Sequence, residues 1–185
     1  MAVAAGSDRE LGWKAADFTL PATDGRTVSI RDCAGPNGLI VAFICNHCPY
    51  VRASIGRFVR DAAELKALGV GTVAICSNDP VAYPADSFDN MEAFAERHAF
   101  AFPYLQDESQ EAARTYGAQC TPEYFGFNRD LELQYRGRLD RLRTETEAAE
   151  PVRRELFEAM RAIAETGRGP AEQIPSIGCS IKWKG

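Results

Sequence analysis

Gly38-Leu39-Ile40-Val41-Ala42-Phe43-Ile44-Cys45-Asn46-His47-Cys48-Pro49 is the stretch on which the reading of this chain turns. Residues 39–45 form a continuous apolar run rich in β-branched side chains, the pattern of a strand buried on both faces. From Pro49 to Leu68, Val51, Ile55, Phe58, Ala62 and Leu65 fall at helical spacing. Arg52, Arg57, Arg60, Asp61 and Glu64 take the other side, and Gly69 ends the helix. The two thiols of the Cys-x-x-Cys motif therefore sit at a strand-to-helix seam. A helix N-terminus offers unpaired N–H donors and a partial positive charge, both of which favour thiolate over thiol. Such a seam suits redox chemistry.

Size and composition narrow the field. At 185 residues the chain is expected to fold as one domain, and its hydrophobic fraction of 45% and charged fraction of 25% are those of a soluble globular protein. A net charge of -5, with no basic run, gives no case for nucleic acid or a membrane surface as partner. The start, Met1 to Asp8, lacks the basic and apolar regions of a secretory signal. No stretch approaches the roughly 20 apolar residues of a membrane helix. The expected location is the cytoplasm. Six cysteines there read as reduced thiols, redox centres or metal ligands, not as a structural disulfide framework.

Along the chain, Asp17–Leu20 and Thr27–Ile30 alternate as strands around the turn signal Asp24-Gly25. Thr72–Cys76 reads as a second buried strand, with Cys76 as core packing. Phe88–His98 follows as a helix, 102–105 as a short extended piece and Ser109–Tyr116 as a short helix. Glu123–Asn128 and Leu131–Arg136 form an antiparallel pair, and Val152 to Ile163 marks a last amphipathic helix. Thr144–Glu150 is polar and reads as loop, and Cys33 falls in a loop before Gly35-Pro36. Residues 1–10 are expected as a flexible N-terminus, 11–168 as the folded domain and 169–185 as a tail running extended over the surface, given Pro170 and Pro175. The order is an α/β one: a βαβ start followed by ββα, with an N-terminal β-hairpin and a helical insertion around 80–116.

Several segments resemble a known superfamily. Phe43 to Pro49 looks like the active-site strand and helix start of thioredoxin-like proteins, and Tyr116 to Phe125 resembles their Thr-Pro segment. Ala15-Ala16-Asp17-Phe18-Thr19-Leu20 with Asp24-Gly25 is similar to the entry hairpin of the peroxiredoxin-like branch, the alkyl hydroperoxide reductase/thiol-specific antioxidant family. Pro175 to Lys184 resembles a tail found in one group of that branch. The resemblance implies a thioredoxin-like fold, a central mixed sheet flanked by helices. It departs at the reacting atoms. Aligning Cys48-Pro49 with the peroxiredoxin Cys-Pro leaves Cys45 at the family's threonine, Val41 at its proline and Pro122 at its peroxide-polarising arginine.

Position in the chain and the resemblance together assign roles. Cys45 is expected to be the more exposed sulfur and the nucleophile, with a pKa below the free value of about 8.5; Cys48 is the resolving thiol. His47 resembles the middle of strongly oxidising Cys-x-His-Cys motifs and implies a pair more oxidising than thioredoxin. Pro122 is expected to be cis and to face the dithiol, with the Thr121 backbone, and Asn46, binding substrate. Cys120 reads either as a third thiol or as a half-buried cysteine beside a turn. Asp79 and Glu123 are candidate proton acceptors; each also reads as a solvated loop acid. Cys179 is a possible further resolving thiol.

The leading expectation is a dithiol–disulfide oxidoreductase acting on a protein or small-molecule disulfide, restored by a thiol reductant and needing no cofactor beyond its own disulfide. The alternative is a thiol peroxidase in which peroxide oxidises Cys48 and Cys45 or another cysteine resolves it. A third is a copper or zinc carrier using Cys45, His47 and Cys48 with Cys120 or a partner's ligand.

Overall fold

The computed structural model describes residues 3–142 and 152–185. The apolar run forms β4 (Gly38–Phe43), whose six residues are all buried, and β5 (Val70–Cys76) pairs with it in parallel. β6 (Tyr104–Gln106) extends that parallel edge. On the other side β8 (Glu123–Phe127) and β9 (Leu133–Gly137) run antiparallel, giving the order β6-β5-β4-β8-β9. A strand with neighbours on both edges and helices over both faces must be apolar throughout, which is why β4 shows no alternation.

Helix α2 (Pro49–Ala67) returns the chain from β4 to β5 and buries Val51, Ile55, Phe58, Ala62 and Leu65, the stripe that the periodicity marks. α5 (Glu155–Thr166) packs beside it over β4, β8 and β9. The opposite face carries the hairpin of β2 (Thr19–Pro21) and β3 (Thr27–Ser29), then α1 (Ile30–Cys33) and α4 (Glu111–Tyr116). Phe43, Tyr116, Phe125 and Phe127 interlock there, Phe43 and Phe125 edge to face at 5.8 Å. Burying aromatic side chains of this kind contributes about 1.5–3 kcal/mol each. α3 (Phe88–Arg97) follows a 3-10 turn, Pro84–Asp86, and is capped by the Ser87 hydroxyl accepting from Asn90 N–H. This is the thioredoxin-like fold, a central mixed sheet with an entry hairpin and a helical insertion.

The chain ends differ from expectation. Within residues 1–10, read as flexible, Val3–Ala5 forms strand β1. The tail does not run over the surface: Ile177–Ser180 is strand β10, inserted between β1 and the two-residue β7 (Cys120–Thr121). Ser176, Cys179 and Ile181 are buried. Ile177, Gly178 and Cys179 pair with β1, and Cys179 and Ser180 with β7. Cys33 closes α1 instead of lying in a loop, because Ser29 and Asp32 form a reciprocal cap that turns Ile30 into helix. The polar stretch Thr144–Glu150 lies outside the described residues.

Candidate active site

Cys48 is the residue that caps α2. Its backbone is extended, Pro49 follows as the first helical residue, and Arg52 N–H donates to the Cys48 carbonyl at 3.0 Å. Opposite stands the cis Thr121–Pro122 bond, as expected. The Cys48 sulfur lies 3.1 Å from Thr121 O and 3.1 Å from the Cys179 sulfur, while Cys45 Sγ is 3.3 Å from Thr121 Oγ1. Cys45 and Cys48 share a side-chain hydrogen bond. Three sulfurs thus meet beside one proline.

Their charges follow from their neighbours. The hydrogen bond from Cys45 lowers the Cys48 pKa most, burial opposes it, and the Cys179 thiol with the Val51 and Cys179 amides brings it to about 5. The Thr121 carbonyl favours a protonated Cys48, but it is one acceptor against two thiols and two amides. Cys45 moves up, held protonated by its bond to Cys48, by burial and by the charge of Asp86. The shared hydrogen bond thus pulls Cys48 down and Cys45 up, the reverse of the expected order. Neither sulfur-bearing residue is exposed, Cys45 being 1% and Cys48 0% accessible. The pair loses its first proton as a unit.

Asp86 is the acid that sequence reasoning missed. Its side chain is fully buried and accepts from Asn46 N–H at 2.8 Å, His47 Nδ1 at 2.7 Å and Asn78 Nδ2 at 2.7 Å. The His47 ring stacks on Tyr83, 5.6 Å away and 6° from parallel. Asn46, read as a substrate contact, also ties the loop together: its amide donates to Ala85 O and its carbonyl accepts from Tyr104 OH. Asp79 does not reach the dithiol. It is half-buried, its carboxylate accepts from Val81 N–H, and its own N–H donates to Lys182 O. The Pro84–Asp86 turn brings this acid to Asn78, just past the C-terminal end of β5, the edge where α/β sites collect.

Glu123 is no solvated acid. It is buried, accepts from the N–H groups of Ser7, Gln119 and Cys120, and has its pKa raised by burial. Its role is to tie the N-terminal segment to the Thr-Pro loop. Cys120 is fully buried, with its sulfur 3.9 Å from Glu123 Oε2, and burial together with that carboxylate pushes its thiol up. Among the described residues, the group with metal-ligating atoms close together is Cys45, His47 and Asp86, within 4.8 Å of one another. That differs from the set expected from sequence, Cys45, His47 and Cys48 with Cys120 or a partner's ligand, in having Asp86 beside Cys45 and His47. Both Asp86 carboxylate oxygens already accept hydrogen bonds, Oδ1 from Asn46 N–H and Oδ2 from His47 and Asn78.

Thr121 gives the clearest departure. The resemblance has its backbone pairing with an extended substrate, but here that edge pairs with β10, Thr121 opposite Cys179 and Cys120 opposite Ser180.

A model of the AhpC/TSA family matches residues 11–136, from before the entry hairpin into β9. The chain belongs to the AhpC/TSA family. At 43% identity, an uncharacterized conserved protein from Geobacillus kaustophilus superposes with a TM-score of 0.92, covering 100% of this chain and 97% of that one. A hypothetical protein from Sinorhizobium meliloti 1021 is 35% identical, with a TM-score of 0.91, covering 97% and 98%. The peroxidoxin BcpB from Mycobacterium tuberculosis shares the fold at 18% identity and a TM-score of 0.62, covering 86% and 98%. This AhpC/TSA protein is a thioredoxin-fold redox protein. The family match stops before α5 and β10, so Cys179 lies outside the residues it describes.

Proposed function

We propose that the chain is a thiol–disulfide oxidoreductase that works through Cys45 and Cys48. The observation that carries this is the hydrogen-bonded sulfur pair at the start of α2, facing the cis Thr121–Pro122 loop. Cys45 attacks one sulfur of the substrate disulfide while its proton passes to the Cys48 thiolate. The first substrate half leaves and takes that proton. Cys48 then attacks Cys45, forming the intrachain disulfide and releasing the second half as thiolate. Two electrons move from the dithiol to the substrate, and an external thiol reductant returns them.

The occupied edge at Thr121 favours a small disulfide over an extended polypeptide. A groove of about 500 Å³ lined by Asn46, His47, Arg52, Arg97 and His98 adjoins the motif. Its two guanidinium groups suit a carboxylate-bearing molecule such as glutathione disulfide. Mixing reduced protein with glutathione disulfide should convert Cys45 and Cys48 to their disulfide and release two glutathione thiols per chain. Cys48→Ala should stop at a mixed disulfide on Cys45. Wild-type turnover in both Cys45→Ala and Cys48→Ala would refute the proposal.

The anionic Cys48 supports one rival, peroxidase chemistry, in which peroxide oxidises that sulfur to sulfenic acid and a second thiol condenses with it, releasing water. Rapid stoichiometric consumption of hydrogen peroxide by a Cys45→Ser variant would favour that rival.

A further inference from the structure

We propose that Cys179 is a third redox thiol of the site, able to take Cys48 from Cys45 and so carry the oxidised state onto the C-terminal strand. The proposal rests on the Cys45–Cys48 reading and extends it to a residue 131 positions downstream of Cys48.

The sulfur contact is built rather than incidental. β10 is held on both edges, with Cys179 opposite Val3 of β1 and opposite Thr121 of β7. Gly178 passes so close to the Thr-Pro loop that an added Cβ would sit 2.1 Å from the Thr121 carbonyl oxygen. Only a residue without Cβ lets the strand approach this far, and the approach is what sets the two sulfurs 3.1 Å apart. Beyond Cys179 the tail stays fixed. Ile181 N–H donates to Gln119 O, Lys182 N–H to Asn78 Oδ1, and Lys182 O accepts from Asp79 N–H and Gln110 Nε2. Asn78 also donates to Asp86, so one side chain links the tail to the acid beneath Cys45. A strand needed only to cover a sheet edge has no requirement for glycine followed by cysteine at this point.

The step is an isomerisation and needs no added oxidant. In the Cys45–Cys48 disulfide, the Cys179 sulfur attacks Cys48. The Cys45–Cys48 bond breaks as the Cys48–Cys179 bond forms, and the Cys179 proton passes to the departing Cys45 sulfur. Cys45 is restored as a thiol while the chain remains oxidised by two electrons. In the reduced site, burial and the bond to Cys48 hold the Cys179 thiol up at about 12, so it enters the sequence protonated.

Full-length protein treated with diamide, quenched in acid, alkylated and mapped by mass spectrometry tests this. In wild type, both Cys45–Cys48 and Cys48–Cys179 peptides are expected; in Cys45→Ala, Cys48–Cys179 alone; in Cys179→Ser, Cys45–Cys48 alone. Wild type and Cys179→Ser that both form Cys45–Cys48, with Cys179 alkylated in wild type and in Cys45→Ala, would overturn the inference and leave the dithiol reading intact. Failure of every variant to oxidise Cys45 or Cys48 would overturn that reading and this inference with it.

Discussion

Cys45 and Cys48 differ by three positions and by the sign of their pKa shift. Cys48 faces first-turn and strand amides and receives hydrogen bonds from two thiols; Cys45 lies beside the Asp86 carboxylate. One thiolate should therefore appear in an ultraviolet titration near pH 5, far below the ordinary thiol value of about 8.5. Because a lowered pKa means charge is present above it, activity that depends on this thiolate should fall as pH drops through that midpoint. Cys48→Ser should abolish the low-pH titration. A midpoint unchanged in that variant would assign the charge to another sulfur. The Cys-x-x-Cys motif was legible in local sequence, and the proline opposite it only through the resemblance to thioredoxin-like proteins. Asp86 was not, because a loop acid enters a site by the path of the chain between elements, which periodicity does not record. The assignment of charge was equally hidden: the amides of Val51 and Cys179 come from elements 128 positions apart in the 185-residue numbering.

At the scale of elements, legibility followed length and repetition. β4, β5, α2, α3 and α5 each carry enough apolar residues at a regular period to be seen. β1, β7 and β10 have three, two and four residues, too few for alternation to register, and their partners are distant in sequence. The tail's prolines point to extended backbone but not to where it goes; that is fixed by ladder partners. Gly178→Ala tests the fit. An added methyl against the Thr121 carbonyl should unseat β10, costing about 1–3 kcal/mol by overpacking and exposing the tail to proteolysis. A variant that melts with the wild type and keeps its tail protected would show that the close approach is not required.

Taken whole, the molecule encloses its dithiol. α2 and β4 supply the sulfurs, the insertion between β5 and α3 supplies Asp86 and Tyr83, and the last strand closes the side facing Pro122. A cavity of about 100 Å³ behind that proline, bordered by Tyr50, Ser54, Arg138 and Pro175, joins the tail to α2. The fold class and the motif's place in it were readable because one buried strand leading into one amphipathic helix sets the architecture. The closure was not, since it depends on two chain ends meeting at one sheet edge. The central claim is that Cys45 and Cys48 exchange between dithiol and disulfide, and that an anionic Cys48 stabilises the reduced form. Equilibration in glutathione redox buffers, with the disulfide quantified by mass spectrometry, measures it directly. The account predicts a two-electron transition through a Cys45–Cys48 bond with a midpoint more oxidising than the roughly -270 mV of thioredoxin. Two thiols that remain reduced across the whole series, or a midpoint below that value, would contradict it.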